Sequence, residues 1–383
     1  MNSKLSPRVE ISLDNLLHNL RQIRSIAPGT GVLAVVKDCS YGCGSVMITR
    51  TLEQQGGVHF FAVARPEEAF LLREEGLSSP ILVLGEADSS QIKEAWTKEI
   101  LFSCNSLDTL RNWIKSGLQV RFHLNIDTGM HRMGLLPSEV EDFAKHLQNS
   151  SGNLLFEGVF THMTSADVPG TETVQSQLAS FRKALSVLRS HNLSPVHIHF
   201  GNSATVMLHG ISECTLIRPG IALYGCKPDP AQDFPLDLKP VAALKGYIVR
   251  MKQVPAGTPV SYGAHYITEQ TTWIATINAG YGQGVPRFLS NKGYVLIRGK
   301  KYRIAGNVTM DYIMVDAGPE PCIGIGDEAV IMGNQNGESI TPDEIASMGN
   351  TIAYEILCNL STAIDRYYYL NDSIVFHSSG SIF

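Results

Sequence analysis

The chain has 383 residues, 44% of them hydrophobic and 17% charged, and carries a net charge of −5. Such a chain can bury substantial cores in two domains, and with both signs of charge interspersed it offers no basic patch for a phosphate backbone, so nucleic acid is not an expected partner. The segment Met1 to Leu16 lacks an apolar core of signal-peptide length and no later run could span a bilayer, so the expected location is cytoplasmic with no membrane partner. The seven cysteines are scattered and odd in number, which points to reduced thiols rather than a disulfide framework or a zinc site. No metal is expected.

From Arg8 to Gly225 short β-rich runs alternate with amphipathic stretches. Leu16, Leu17, Leu20 and Ile23 repeat at helical spacing behind Ser12 or Asp14 as cap, and Pro66-Glu67-Glu68 opens another helix. The runs are Val32–Lys37, Phe60–Ala64, Ile81–Leu84, Ile100–Cys104, Val120–Ile126, Phe156–Thr161, Val196–Phe200 and Leu216–Leu223. Eight strands separated by helices in this span predict a closed parallel (β/α)8 barrel, a TIM barrel, over residues 1–237. After the Pro- and Asp-rich junction Asp229–Pro240, short strands with Gly and Pro turns predict a mostly β C-terminal domain over 238–383, which the first strand could join. A late helix is expected from Pro342 to Met348.

Active sites of such barrels lie at the carboxyl ends of the strands. The apolar run Val32-Leu33-Ala34-Val35-Val36 ends on Lys37, ahead of the glycine-punctuated loop bearing Tyr41. A lysine packed there loses solvation, which lowers an amine's pKa and suits Schiff-base chemistry. Read alone, Lys37 is more simply the first solvated residue after a strand, since strand ends commonly carry a lysine. Other strand ends carry Arg65, then Asn125, Asp127, Thr128 and Arg132, then His162, then Asn202-Ser203, then Arg218 before Gly220-Ile221. Singly, His162 reads as a core histidine and Gly-Asn-Ser as a turn. The loops after the last two strands are the usual phosphate site of this fold, and Asn202, Ser203, Gly220 and Ile221 suit an anion. A lysine, a phosphate cradle and a basic residue at one barrel mouth together suggest pyridoxal 5′-phosphate (PLP).

Several ordered motifs then resemble the bacterial alanine racemases, PLP enzymes with a barrel followed by a β domain. AVVK…YG resembles the cofactor-lysine motif, implying that Lys37 bonds the cofactor and Tyr41 meets its phosphate. DTGMHRMG (Asp127–Gly134) implies that Arg132 helps hold substrate carboxylate and cofactor phenolate. Thr161-His162, HFGNSA (His199–Ala204) and IRPGIALYG (Ile217–Gly225) follow in order. The resemblance implies that Arg218 bonds the pyridine nitrogen, with His162 supporting it from behind. A guanidinium cannot accept a proton and gives one up with difficulty, so the ring stays a weaker electron sink and side reactions are disfavoured. SYGAHY (Ser261–Tyr266) implies Tyr262 as second base. GYGQGVPR implies Tyr281 and Arg287 at the substrate entry, NVTMDYIMVD implies Met310 and Asp311 near substrate, and AYEIL implies Tyr354 at the phosphate.

Inverting an α-carbon requires proton removal on one face and return on the other. By resemblance Lys37 serves the D enantiomer and Tyr262 the L enantiomer, with Tyr262, Met310 and Asp311 coming from the other subunit of a homodimer. The implied role is supply of D-alanine for peptidoglycan. Departures from the family pattern fall near the chemistry. Asp38-Cys39-Ser40 and Cys43 flank Tyr41, Asn125 replaces a modified lysine, Gln283 replaces aspartate, and only Arg366 remains of a terminal basic motif. Alternation along an extended chain would point Asp38 away from Lys37, and Asn125 can still hydrogen-bond Arg132, with an anion filling the missing charge. Racemisation of another small amino acid such as serine, or a low-activity PLP-binding homologue, are the competing readings. A PLP decarboxylase would require a catalytic cysteine in the β domain, where Cys322 sits in a turn-like context.

Overall fold

The computed structural model describes residues 5–150, 153–168, 170–229 and 231–380. Its first strand, β1 (Arg8–Ser12), belongs to the C-terminal sheet. The next eight are β2 (Gly31–Val35), β3 (Phe60–Val63), β4 (Ile81–Val83), β5 (Ile100–Cys104), β6 (Val120–Asn125), β7 (Leu154–Phe160), β8 (His197–His199) and β9 (Leu216–Ile217). They pair in parallel from β8 in sequence back to β2, and β2 pairs with β9. The bridge between Asn202 and Arg218 and the bond from Arg218 N to Gly201 O (2.7 Å) draw the two ends together. The result is a near-closed barrel with helices outside it.

The helix Leu13–Ser25 shows how the barrel is seated. Ser12 Oγ accepts from Asn15 N (3.2 Å) as its cap, and Leu13, Leu16, Leu20 and Ile23 form its buried stripe. On the same buried face Asn19 donates to Leu223 O (3.0 Å) and Lys239 O (2.8 Å) and accepts from Lys239 N (2.8 Å). One satisfied amide thus ties the end of the barrel to the chain leaving it.

The C-terminal domain is mostly β. The long strand β10 (Ala242–Val254) pairs antiparallel with β1, with 272–277 and with 328–335. β1 in turn pairs in parallel with 365–370, which holds the edge hairpin partner 373–378. Inward residues such as Leu244, Ile248, Ile277, Val295, Val315 and Val330 join one apolar core that continues into the barrel. The expected late helix runs Pro342–Gly349, and a second, Ala353–Cys358, follows it.

Two expectations fail at the barrel's ends. The last strand stops at Ile217 because Pro219 has no N–H for a ladder, and Ile221–Tyr224 winds into a 3-10 turn instead. The first barrel strand stops at Val35, and Lys37 opens a helical turn rather than closing a strand.

Candidate active site

The turn from Lys37 to Tyr41 is left-handed. Asp38, Cys39, Ser40 and Tyr41 have φ of 53°, 56°, 51° and 53°, a conformation that costs an L-residue about 1–2 kcal/mol. Neighbouring contacts hold it. Asp38 N donates to Glu68 Oε1 (2.6 Å), Gly42 N to Asp38 O (3.1 Å), and Gly44 N to Cys39 O (2.8 Å). Buried Arg366 donates to Gly42 O through Nε (3.1 Å) and Nη2 (3.0 Å), with Leu360 O and Ile364 O as further acceptors. A side chain on Gly44, at φ 94°, would run into the Tyr368 hydroxyl. Because the chain is not extended here, Asp38 does not point away: its carboxylate lies 3.8 Å from Lys37 Nζ and 3.5 Å from Arg65 Nη1.

The turn borders a cleft of about 440 Å³ at the carboxyl ends of the barrel strands. Lys37, Tyr41, Arg132, His162, Asn202, Ser203, Arg218, Gly220, Ile221 and Tyr354 all line it. Tyr262, Tyr281, Met310 and Asp311 do not line it. They share one open face of the β domain, where Tyr262 is 76% and Met310 56% exposed. Ser261, at φ 67° and ψ −179°, turns the chain outward before Tyr262, and its hydroxyl is tied to Asn307 O (2.7 Å). Asn307 Nδ2 donates to Tyr262 O (2.7 Å), and Gly282 N to Met310 O (2.8 Å), so the loops form one surface.

At the back of the cleft Arg218 is buried and charged. Its Nη1 donates to His199 O (2.7 Å) and His199 Nδ1 (2.9 Å), and its Nη2 to Thr161 O (2.8 Å), with His162 Nδ1 at 3.4 Å. Burial pulls this guanidinium down to about 10, which leaves it protonated at neutral pH. Burial also takes His162 down to about 3, helped by the charges of Arg218, Arg132 and Lys37. His162 is therefore a neutral neighbour, and the shorter support comes from His199, which sequence reasoning placed in a motif without a role.

One side of the cleft is built for an anion. Ser203 Oγ accepts from Gly220 N (3.1 Å) and Ala222 N (3.4 Å), leaving its own proton to donate outward. A Cβ on Gly220 would strike the Tyr41 hydroxyl. Tyr41 and Tyr354 pack with ring centroids 6.0 Å apart, and neither hydroxyl has a hydrogen-bond partner among the described residues. Burial raises both phenols well above the usual tyrosine range, so both are neutral donors. Asn202 lines the same cleft, and its Oδ1 caps the following turn at Thr205 N (2.9 Å).

On the opposite side Asp127 Oδ1 accepts from the backbone of Gly129 (3.0 Å), Met130 (2.9 Å) and His131 (3.0 Å), and so shapes the loop carrying Arg132. Asn125 does not bond Arg132. Its Nδ2 donates to Asn105 Oδ1 (2.9 Å) and Met133 O (3.1 Å), because β6 turns it toward β5. Asn105 was not foreseen. Neither were Glu68 and His123, although His123 and Asn125 on β6, like His197 and His199 on β8, stand at the two-residue spacing of one strand face.

A barrel with a single lysine at a strand end, a neutral hydroxyl cradle and a buried guanidinium defines a class: enzymes that hold a phosphorylated aldehyde cofactor on a lysine. Family comparison makes this specific. Residues 11–228 match the alanine racemase N-terminal domain and 241–368 the alanine racemase C-terminal domain. The alanine racemase of Halothermothrix orenii is 39% identical over 369 residues, covering 94% of this chain and 96% of that protein. That of Symbiobacterium thermophilum is 38% identical over 363 residues, with the same coverage. The crystal structure of alanine racemase from Bacillus anthracis with bound L-Ala-P superposes with a TM-score of 0.90 at 32% identity over 98% of both chains. A Clostridium difficile alanine racemase complexed with cycloserine gives 0.88 at 31% identity, again over 98% of both chains.

This chain belongs to the alanine racemase family. The family is PLP-dependent and acts on a small amino acid. The residues present fit that cofactor: Lys37 for its aldehyde, Arg218 for its ring, and Tyr41, Ser203, Gly220, Ile221 and Tyr354 for its phosphate. Among the described residues no helix is long and apolar enough to cross a membrane.

Proposed function

We propose that the protein interconverts L-alanine and D-alanine with Lys37 and the partner subunit's copy of Tyr262 as the two proton-transferring groups. When bound, PLP supplies an electron-withdrawing ring conjugated to the substrate's α-carbon. The Lys37 amine takes or returns the α-proton on one face. The Tyr262 phenol does so on the other, so inversion needs neither group to travel. Arg132 orients the substrate carboxylate, and the neutral phenols of Tyr41 and Tyr354 with the Ser203 hydroxyl fix the phosphate end. Arg218 presents a donor that cannot accept a proton, which keeps the ring from drawing charge so strongly that transamination competes.

The observation that carries this reading is the division of the parts: a cleft with one proton-transferring amine, and a separate exposed face carrying Tyr262, Tyr281, Met310 and Asp311. A homodimer in which each β domain covers the partner's cleft brings the halves together. Residues 1–237 then form the PLP-binding unit and 238–383 the unit that supplies the second base. In a cytoplasmic setting the product serves peptidoglycan synthesis.

Chiral chromatography of L-alanine, and separately L-serine, after incubation with protein and PLP tests the reading. Alanine is expected to approach an equal mixture of enantiomers faster than serine, and the Lys37→Ala variant to leave both unchanged. Faster conversion of serine would move the substrate assignment, and no D product from either would refute racemisation.

A further inference from the structure

Behind Arg218 the barrel interior contains two histidines that the reaction does not use. His123 and His199 are fully buried, and His123 Nδ1 lies 2.8 Å from His199 Nε2. Their protons can be placed by elimination. A guanidinium only donates, so His199 Nδ1, 2.9 Å from Arg218 Nη1, is the acceptor and carries no proton. The single proton of neutral His199 is then on Nε2, where it is donated to His123 Nδ1. His123 in turn carries its proton on Nε2, which is buried without a hydrogen-bond partner. Burial holds both imidazoles well below their usual range, with the Arg218 charge acting in the same direction, so both are neutral.

The surroundings are shaped for this pair. Phe160 stacks on His199 with ring centroids 4.9 Å apart and 11° between planes, and the Arg218 guanidinium lies 5.2 Å over the same Phe160 ring. Pairing between β6 and β7 slips by one residue between Phe122 opposite Phe156 and His123 opposite Gly158. A Cβ on Gly158 would lie 2.6–2.7 Å from three atoms of the His123 ring, so only glycine leaves room for the imidazole. An apolar side chain at 123 would bury no unpartnered N–H.

The bonds also settle which donor of Arg218 is left. Both Nη nitrogens are engaged by His199, Thr161 O and His162, whereas Nε–H has no protein partner among the described residues. We propose that His199 and His123, each locked as the Nε2–H tautomer, are positioning residues that hold Arg218 so that its Nε–H faces the cofactor ring. This rests on the reading that Arg218 meets the ring nitrogen. His199 sets the guanidinium by accepting from it, and His123 sets His199 by accepting from its other nitrogen, as an outer partner orients an inner group.

Long-range 1H–15N correlation of 15N-histidine-labelled, cofactor-free protein at neutral pH reads the tautomers directly, with signals assigned from His123→Phe and His199→Phe. Both histidines are expected as Nε2–H; a proton on Nδ1 of His199 overturns the proposal. In the same variants PLP affinity is measured by absorbance titration. His199→Phe is expected to weaken it about tenfold, in line with losing an acceptor from a charged donor, and His199→Asn, whose Oδ1 replaces the Nδ1 acceptor, to recover most of that loss. Equal affinity for the Phe and Asn variants also overturns it. Should His199→Phe not fold, Gly158→Ala displaces the His123 ring with both imidazoles retained, and an unaltered His199 signal there would exclude the coupling. A parent protein with both tautomers and the Asn rescue, yet without racemisation, refutes the proposed reaction and leaves the histidine pair standing.

Discussion

The barrel cleft and the exposed face around Tyr262 both carry expected site residues but are built in opposite ways. In the cleft, Arg218 and Ser203 are buried, and the hydrogen bonds from the Arg218 Nη atoms and to the Ser203 hydroxyl oxygen orient each group before anything binds. On the β domain, Tyr262, Tyr281 and Met310 are held only through their backbones, and their side chains stand in solvent. The difference teaches that the cleft is organised by its own core and the Tyr262 face is not; under the proposed function that face is the half completed by another surface.

The strongest way to break that comparison is to remove the amine. Lys37→Ala should lower alanine racemisation by about 10⁴-fold or more while preserving the fold, as measured by chiral assay beside a thermal melt. Tyr262→Phe should cost about 10²–10⁴-fold with the fold of the chain intact, since this exposed side chain takes no part in the chain's own core. Mixing the two inactive variants sharpens the point. Random exchange of subunits gives half heterodimers, each with one intact cleft facing one intact Tyr262, so about a quarter of parental activity should return. No recovery after verified exchange would place both groups on one subunit.

Stability probes follow, aimed at the cleft's internal organisation. Arg366→Met leaves Gly42 O, Leu360 O and Ile364 O without their donor and should destabilise by about 2–4 kcal/mol in urea unfolding, with PLP affinity falling as the Lys37 turn loosens. Acid should act on the buried histidines. His123, His162 and His199 have folded pKa values below the unfolded value, so unfolding takes up protons and stability falls as pH drops below about 6.5, by up to about 1.4 kcal/mol per pH unit for each. For His162 that loss continues toward its folded value of about 3. A flat stability profile between pH 6.5 and 5 would show these histidines to be solvated. The smallest effect is expected from Asp38→Ala, a change of a few-fold at most in activity, because its ion pairs with Lys37 and Arg65 are long and half-exposed.

Much of this was legible from residues alone. Strand ends bearing Lys37, His162 and Arg218 stood out because apolar β-branched runs stop abruptly on a charged or polar group, which is a local signal. The shape of the Lys37 turn was not legible. Four successive non-glycine residues at positive φ run against local preference, and besides local backbone bonds Glu68, Arg366 and Tyr368, distant in sequence, hold the segment. The resemblance pairs the position of Asn125 with Arg132, yet Asn105, just past the end of the adjacent strand, is the nearer partner.

Sequence by itself determined the barrel, the β domain and the residue types available at the strand ends, since periodicity and composition act over a few residues at a time. Tertiary structure alone decided which hydrogen bonds leave Arg218 Nε free, the left-handed turn after Lys37 and the pairing of His199 with His123. Those outcomes depend on contacts between segments separated by tens to hundreds of residues, where packing and hydrogen-bond satisfaction override local preference.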